Sequence, residues 1–278
     1  MGKGLVNKIV PFSSVDGPGN RTAIFLQGCN FNCLYCHNPE TINLCENCGL
    51  CVKECPYNAL TVDNNKVKWN KNTCKECGKC IDICPRDSSP KIKEMSVEEV
   101  VEEIEKNKLF ISGITVSGGE CTLQSHFLIE LFKEVKKMGL TTFIDTNGTV
   151  SLYENDKLMK VTDMVMVDMK SFDVGEHKKL TGKSNKIVID NIRYLADIGK
   201  LYEIRTVIVP EVLDNYNNVD NISKLLASLD SEIRYKLIKY RPVGVRKDMI
   251  GSHTPSDDMM NKLENVAKYN GCIDVIIV

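Results

Sequence analysis

Apolar residues along this chain gather in short continuous runs separated by amphipathic stretches. Runs at 21–27, 111–116, 141–144, 164–169, 201–209, 235–240 and 273–278 are too short for buried helices and read as buried strands. Between them the apolar positions recur with a helical period, at 123–138 and at about 188–198, 219–229 and 256–269. Ser96-Val97-Glu98-Glu99 is a capping box and opens a further helix carrying Val97, Val100, Val101 and Ile104. About seven strand–helix repeats predict a parallel sheet with helices outside, an α/β fold that curves into a whole or partial (β/α) barrel.

In such barrels the reactive groups sit at the carboxyl ends of the strands. Polar sets fall there repeatedly. Cys29, Cys33 and Cys36 follow the first strand, Ser117-Gly118-Gly119-Glu120 the second, Asp145-Thr146-Asn147-Gly148 the third and Asp168-Met169-Lys170 the fourth. Arg205 lies inside the fifth strand and Tyr240-Arg241 closes the sixth, so six sets define one mouth. Met166 is expected to pack within its strand.

The triplet has the spacing C-x3-C-x2-C. Three thiolates this close can hold three corners of a [4Fe-4S] cubane and leave the fourth iron open to a small molecule. A structural zinc site would ask for a fourth ligand at a paired spacing; His37 adjoins Cys36, and adjacent residues rarely reach the same metal. A second unit spans 41–90. Cys45, Cys48, Cys51 and Cys55-Pro56 spell C-x2-C-x2-C-x3-C-P, and Cys74, Cys77, Cys80 and Cys84-Pro85 repeat it. This is the bacterial two-cluster ferredoxin run, in which each fourth cysteine crosses to the other cluster. One cluster is therefore assigned to Cys45, Cys48, Cys51 and Cys84, the second to Cys74, Cys77, Cys80 and Cys55. Between the runs, 59–62 and 66–69 flank Asp63-Asn64-Asn65 as a small hairpin. A unit this short relies on its clusters for stability. The expected organisation is a barrel of 1–40 and 91–278 with a ferredoxin-like insert at 41–90.

The triplet, with Asp16-Gly17-Pro18-Gly19-Asn20-Arg21 before it and His37-Asn38-Pro39 after it, resembles the radical S-adenosylmethionine enzymes, and among them the activating enzymes of glycyl radical enzymes. The pattern of 109–116 ahead of the glycines is most similar to the YjjW-like branch. The resemblance implies that the open iron is chelated by S-adenosylmethionine and that Gly118-Gly119-Glu120 holds its methionyl amino group. It also implies that Asp145, Thr146, Asn147, Asp168 and Lys170 serve the ribose and the methionyl carboxylate, with room for a monovalent cation, and that Tyr35 borders the ligand. For Arg205 the partner is Glu203 or that carboxylate. Arg241 stands where relatives often carry His; it stacks on adenine, binds ribose, or serves a peptide or the surface.

The implied reaction begins with a reductant, flavodoxin or ferredoxin, feeding the insert clusters and through them the open cluster. Cleavage of S-adenosylmethionine then gives a 5'-deoxyadenosyl radical, which removes a hydrogen from a backbone glycine of a partner enzyme. A small-molecule substrate and a plain electron carrier or redox sensor are the alternatives.

Composition narrows the setting. With 36 basic and 37 acidic residues and a net charge of -1, nothing calls for a nucleic-acid partner. No run approaches membrane-spanning length and the start has no cleavable leader pattern, so a cytoplasmic, monomeric protein is expected, with no membrane partner. Thirteen cysteines at ligand spacing point to iron, a reducing compartment and an anaerobic setting rather than disulfides. Cys121 and Cys272 fit neither cluster set and are expected to be small buried residues.

Overall fold

Each buried strand is followed by a polar turn and an amphipathic helix, and this rhythm sets the architecture. The computed structural model describes residues 2–246 and 249–278. In chain order the elements are β1 (Lys3–Ser13), β2 (Arg21–Leu26), α1 (Leu50–Lys53), β3 (Leu60–Asp63), β4 (Lys66–Trp69), α2 (Lys79–Asp82), β5 (Lys93–Ser96) and α3 (Val97–Glu105). Then come β6 (Gly113–Gly118), α4 (Ser125–Lys137), β7 (Thr141–Thr146), α5 (Asp156–Val161), β8 (Met164–Asp168), α6 (Val174–Thr181) and α7 (Lys186–Asp197). The chain closes with β9 (Leu201–Ile208), α8 (Asn215–Leu229), β10 (Arg234–Lys239), α9 (Asp257–Tyr269) and β11 (Val275–Ile277).

One sheet runs β11-β10-β9-β8-β7-β6-β2-β1-β5. From β2 through β11 neighbouring strands are parallel, while β1 is antiparallel to both β2 and β5. The ends of the sheet do not pair with each other, so the barrel is partial. Strands β2 and β6 are buried almost throughout because helices cover one side and the barrel interior fills the other. Phe127, Leu128, Leu131, Phe132 and Val135 form the buried stripe of α4, at the spacing one helix face requires. At α3 the expected capping box closes in both directions between Ser96 and Glu99.

Besides the single-turn helices α1 and α2, four elements were not expected from the sequence. Strand β1 lies near the sheet edge and is only partly buried, so its apolar pattern is diluted. Strand β5 has only four residues. Helices α5 and α6 bury two or three side chains each, too few to establish a period. The start of α8 also comes four residues early, because Asp214 caps a polar first turn by accepting from the Asn217 amide.

Residues 59–69 form the expected hairpin, β3–β4, around Asn64 and Asn65, both with positive φ. The cysteine runs around it are related by a shift of 29 residues that the backbone repeats. Positive φ recurs at Asn47 and Glu76, Gly49 and Gly78, and Asn58 and Asp87. A left-handed glycine precedes α1 and α2 alike.

The floor of the barrel is sealed by Arg21, 1% exposed at the amino end of β2. Its guanidinium donates to Thr115 Oγ1 (2.9 Å), Thr141 Oγ1 (3.0 Å) and the carbonyls of Ile114 (2.6 Å) and Thr141 (3.1 Å), and stacks 4.0 Å from the Phe143 ring centre. Burial pulls its pKa down to about 10, against the pull of Asp163, Tyr202 and Asp16. Arg21→Met leaves these acceptors unpaired. Because one buried unsatisfied group costs about 1–3 kcal/mol, we expect a loss of about 3 kcal/mol, read as a thermal midpoint lower by roughly 6–12 °C.

Candidate active site

The mouth is built by tying the cysteine loop to its neighbours with backbone bonds. Gly28 N–H donates to the Thr41 carbonyl (2.8 Å) and Cys29 N–H to that of Ile42 (3.0 Å). Across the loop, Asn32 and Leu34 donate to the carbonyls of Thr181 and Leu180 at the end of α6. Arg246 donates to Asn32 Oδ1 (2.7 Å) and the Cys33 carbonyl (2.8 Å). His37 Nε2 lies 3.0 Å from the Arg241 carbonyl. Two donors aim at the Cys29 sulfur, Phe31 N–H at 3.4 Å and Asn147 Nδ2 at 3.7 Å.

Cys29, Cys33 and Cys36 line one cavity of about 300 Å3 together with Tyr35, Gly118, Gly119, Asp145, Thr146, Asn147, Asp168, Lys170 and Arg205. Burial pushes the Cys29 thiol up to about 11 and Cys33 to about 12, and raises Cys36; Lys170 pulls all three the other way. Thiolates there need positive charge beside them, which iron supplies.

Gly118 and Gly119 are required by the protein's own backbone. A Cβ on Gly118 (φ +119°) would collide with the Leu26 backbone, and one on Gly119 with the Gly28 carbonyl. This lets Gly119 N–H donate to the Leu26 carbonyl (2.9 Å) and Glu120 N–H to that of Gly28 (2.8 Å), pinning β6 to the root of the cysteine loop. Glu120 is buried beneath the cavity. It accepts from Thr122 N–H (3.0 Å), Thr122 Oγ1 (2.5 Å), Thr146 Oγ1 (2.8 Å) and Asn147 N–H (2.7 Å). Burial raises its pKa and these donors oppose the rise.

The rim of β7, β8 and β9 is a charge network. Asp145 Oδ2 accepts from Ser117 Oγ (2.8 Å) and Arg205 Nη1 (3.0 Å). Burial pushes Asp145 up to about 6, with Arg205 opposing and Asp168 adding to the rise. Arg205 Nε binds Glu203 (2.6 Å), which also takes Lys236 Nζ (2.7 Å); its Nη2 meets Met166 Sδ, itself packed within β8. Lys170 Nζ holds Asp168 at 2.6 Å and lies 5.8 Å from the Tyr35 ring centre. Asp145 Oδ1 and the Tyr35 hydroxyl are buried without a partner. Three converging thiols, bonded donors on one sulfur and orphaned polar atoms fit a cubane held at three corners beside a polar ligand.

Arg241 is exposed and does not line this cavity. It borders an adjoining groove of about 520 Å3 with Arg234, Lys236 and Lys239; Asp16, His37, Arg205 and Ile238 line both spaces. Cys121 and Cys272 are buried, as expected.

In the segment 41–90, Cys55, Cys74, Cys77 and Cys80 line one cavity, the same four that the crossed pattern assigns to one cluster. Burial raises the Cys74 thiol, but Trp69, the Glu76 amide and Lys91 outweigh it and hold the thiol below its ordinary value. On the other side, Asn47 N–H meets Cys45 Sγ at 3.4 Å, and burial pushes Cys51 up to about 11 with Cys45 and Cys48 close by. Among the described residues no three of His, Cys, Asp and Glu close on one metal ion. Cys29, Cys33 and Cys36 instead line one cavity, and Cys55, Cys74, Cys77 and Cys80 another.

Sequence reasoning named Glu203 as a partner of Arg205, which the structure shows, but missed Arg246 and gave no structural part to Ser117. Arg246 reaches the cysteine loop from more than 200 residues away and lies in no periodic element, so no local signal marks it.

Residues 23–220 match the Radical SAM superfamily. The chain is 34% identical to the pyruvate formate-lyase-activating enzyme of Streptococcus mutans, over 87% of this chain and 79% of that one. It is 31% identical to the enzyme of the same name from Staphylococcus epidermidis, over 99% of both. Its fold is similar to the crystal structure of QueE from Escherichia coli, with a TM-score of 0.57 at 16% identity over 99% of this chain and 94% of that one.

The Gly119 contact gives a direct test. Gly119→Ala drives a methyl into the Gly28 carbonyl, and overpacking of this kind costs about 1–3 kcal/mol. We expect the variant to lose iron from the Cys29 site after anaerobic reconstitution, measured as iron per chain against the parent.

Proposed function

We propose how this chain works from the premise that it belongs to the radical SAM superfamily and, within it, to the glycyl-radical-enzyme activases. When bound at its [4Fe-4S] cluster, S-adenosylmethionine is cleaved reductively and supplies the 5'-deoxyadenosyl radical that takes a hydrogen from a backbone glycine of a partner enzyme. The protein's residues position and shield; no acid or base is required of them.

Cys29, Cys33 and Cys36 hold the cluster, with Phe31 N–H and Asn147 favouring thiolate at Cys29. Lys170, kept charged by Asp168, meets the methionyl carboxylate. Arg205 offers a second cation from the same cavity, and Tyr35 walls it. Asp145, Thr146 and Asn147 serve the ribose, and the free Asp145 Oδ1, with Asp168 near, suits a monovalent cation. Gly118, Gly119 and Glu120 fix the depth of the ligand by fixing the loops around it. Arg241 belongs to the groove, where it meets the partner's peptide.

The observation that carries the activase reading is the groove joined to the cysteine cavity. A small-molecule enzyme needs closure around its substrate, whereas a glycine presented on a chain needs an open approach. We further read 41–90 as a ferredoxin-like insert with two more [4Fe-4S] clusters, three in all, fed by flavodoxin or ferredoxin. Supporting this are the cavity shared by Cys55, Cys74, Cys77 and Cys80 and the backbone repeat at 29 residues. Residues 1–40 and 91–278 form the barrel. The YjjW-like branch rests on the pattern of 109–116. No helix of the described residues is long and apolar enough to cross a membrane; the iron chemistry suits a reducing, anaerobic cytoplasm, and a single chain carries every group invoked.

Anaerobically reduced protein mixed with S-adenosylmethionine should release 5'-deoxyadenosine, and adding its partner glycyl radical enzyme should give a doublet in electron paramagnetic resonance. Deoxyadenosine without the doublet would move the reading to a small molecule; neither product would leave an electron carrier. Lys170→Met removes a charge-assisted hydrogen bond worth about 1.5–3 kcal/mol. The KM for S-adenosylmethionine should rise about tenfold to a hundredfold, measured by deoxyadenosine release.

A further inference from the structure

The two halves of the insert share a backbone but differ in charge. Under the 29-residue shift Glu46 corresponds to Lys75 and Leu50 to Lys79, whereas Asn47 corresponds to Glu76, Lys53 to Asp82 and Asn58 to Asp87, so the lysines stand beside the cavity and the carboxylates away from it. In the first half Glu46 is paired with Arg86. In the second, Lys75, Lys79 and Lys91 line the cavity of Cys55, Cys74, Cys77 and Cys80, and no carboxylate does. Lys91 and Lys93 lie 5.9 and 5.6 Å from the Trp69 ring centre. None of these four lysines has an ion-pair partner among the described residues. The Trp69 ring and the cysteine thiolates offset this charge in part, and Lys75, Lys79 and Lys93 remain exposed to a partner.

The first half faces the opposite way in function. Ile42 accepts from Cys29 N–H, and Gln27 Nε2 donates to the Asn43 carbonyl (2.6 Å). Asn43 Nδ2 donates to the Arg86 carbonyl (2.8 Å), and Ser88 Oγ to that of Asn43 (2.8 Å). Cys45 and Cys84 stand two residues from Asn43 and Arg86. The side of Cys45 and Cys84 is thus knitted to the root of the Cys29 loop, and the side of Cys55, Cys74, Cys77 and Cys80 carries lysines without ion-pair partners among the described residues.

We propose that Lys75, Lys79, Lys91 and Lys93 form the docking face for an acidic one-electron carrier protein, so that electrons arrive at the Cys55/Cys74/Cys77/Cys80 half and leave by the Cys45/Cys48/Cys51/Cys84 half. This rests on the reading that the insert holds two clusters. Each transfer oxidises the carrier by one electron and reduces the insert by one; no bond or proton changes hands. A face of one sign steers an oppositely charged partner and makes the association salt-dependent.

The test uses the reconstituted holoenzyme and a purified bacterial flavodoxin of net negative charge. Affinity is measured by calorimetric titration at low and at physiological salt, beside iron content. Lys75→Glu, Lys79→Glu and Lys91→Glu combined should weaken binding at least about tenfold and remove its salt dependence, while Arg at the same positions retains both. If the Glu variant loses iron, the triple Lys→Gln variant reads the same contrast with less perturbation. Unchanged affinity and salt dependence in a variant with full iron, or no binding by the parent, overturns the docking face alone. Iron near four rather than about twelve per parent chain overturns the two-cluster reading beneath it.

Discussion

The mouth of this protein depends on one buried carboxylate. Glu120 lies under the cavity, where an ionised group without partners would be costly, and donors from Thr122, Thr146 and Asn147 surround it. Through them it ties the turn after β6 to the turn after β7. Its own amide ties both to Gly28, and Asn147 then reaches Cys29 Sγ and Asn30 Oδ1. Three loops that each follow a different strand are thereby held to one geometry. An apolar residue at position 120 would leave four donors unpaired in a buried place, so the turns and the cysteine loop would separate together.

Most of the mouth was legible because its signals are local. A C-x3-C-x2-C spacing is set within one loop, and strands covered on both faces are continuous apolar runs whatever they pack against. What was hidden depends on distance. Arg246 acts on a loop that only folding brings near, as does Lys236 on Glu203, and β1 acquires its role from pairing on both sides near a sheet edge. Gly118 and Gly119 were found for a partly different reason. Close approach to a ligand was the expected cause, and the structure adds a nearer one, the backbone of Leu26 and Gly28 in the space a side chain would take. Glu120 likewise appeared as part of a ligand-binding tripeptide and works from beneath.

The insert presents the opposite case. Spacing assigns the fourth cysteine of each run by rule rather than by contact, and in the fold Cys55, Cys74, Cys77 and Cys80 line one cavity. The insert's polarity was not legible from spacing, because spacing treats the two runs as equal. Only the fold shows that the start of the first run and the end of the second meet at the root of the cysteine loop while Lys75, Lys79 and Lys93 face outward.

Arg205 joins the two spaces at the mouth. Its Nη1 engages Asp145 on the cavity side while its Nε engages Glu203, which also holds Lys236 and lines the groove. A guanidinium is a rigid planar fork, so one nitrogen cannot shift without the other. Whatever carboxylate is brought to Arg205 in the cavity is therefore registered against the wall of the groove. For a reaction in which a small ligand must meet one atom of a protein chain at close range, a side chain shared by both spaces would fix the relative position of the two occupants. A separate residue for each space would leave their distance to the mobility of two loops.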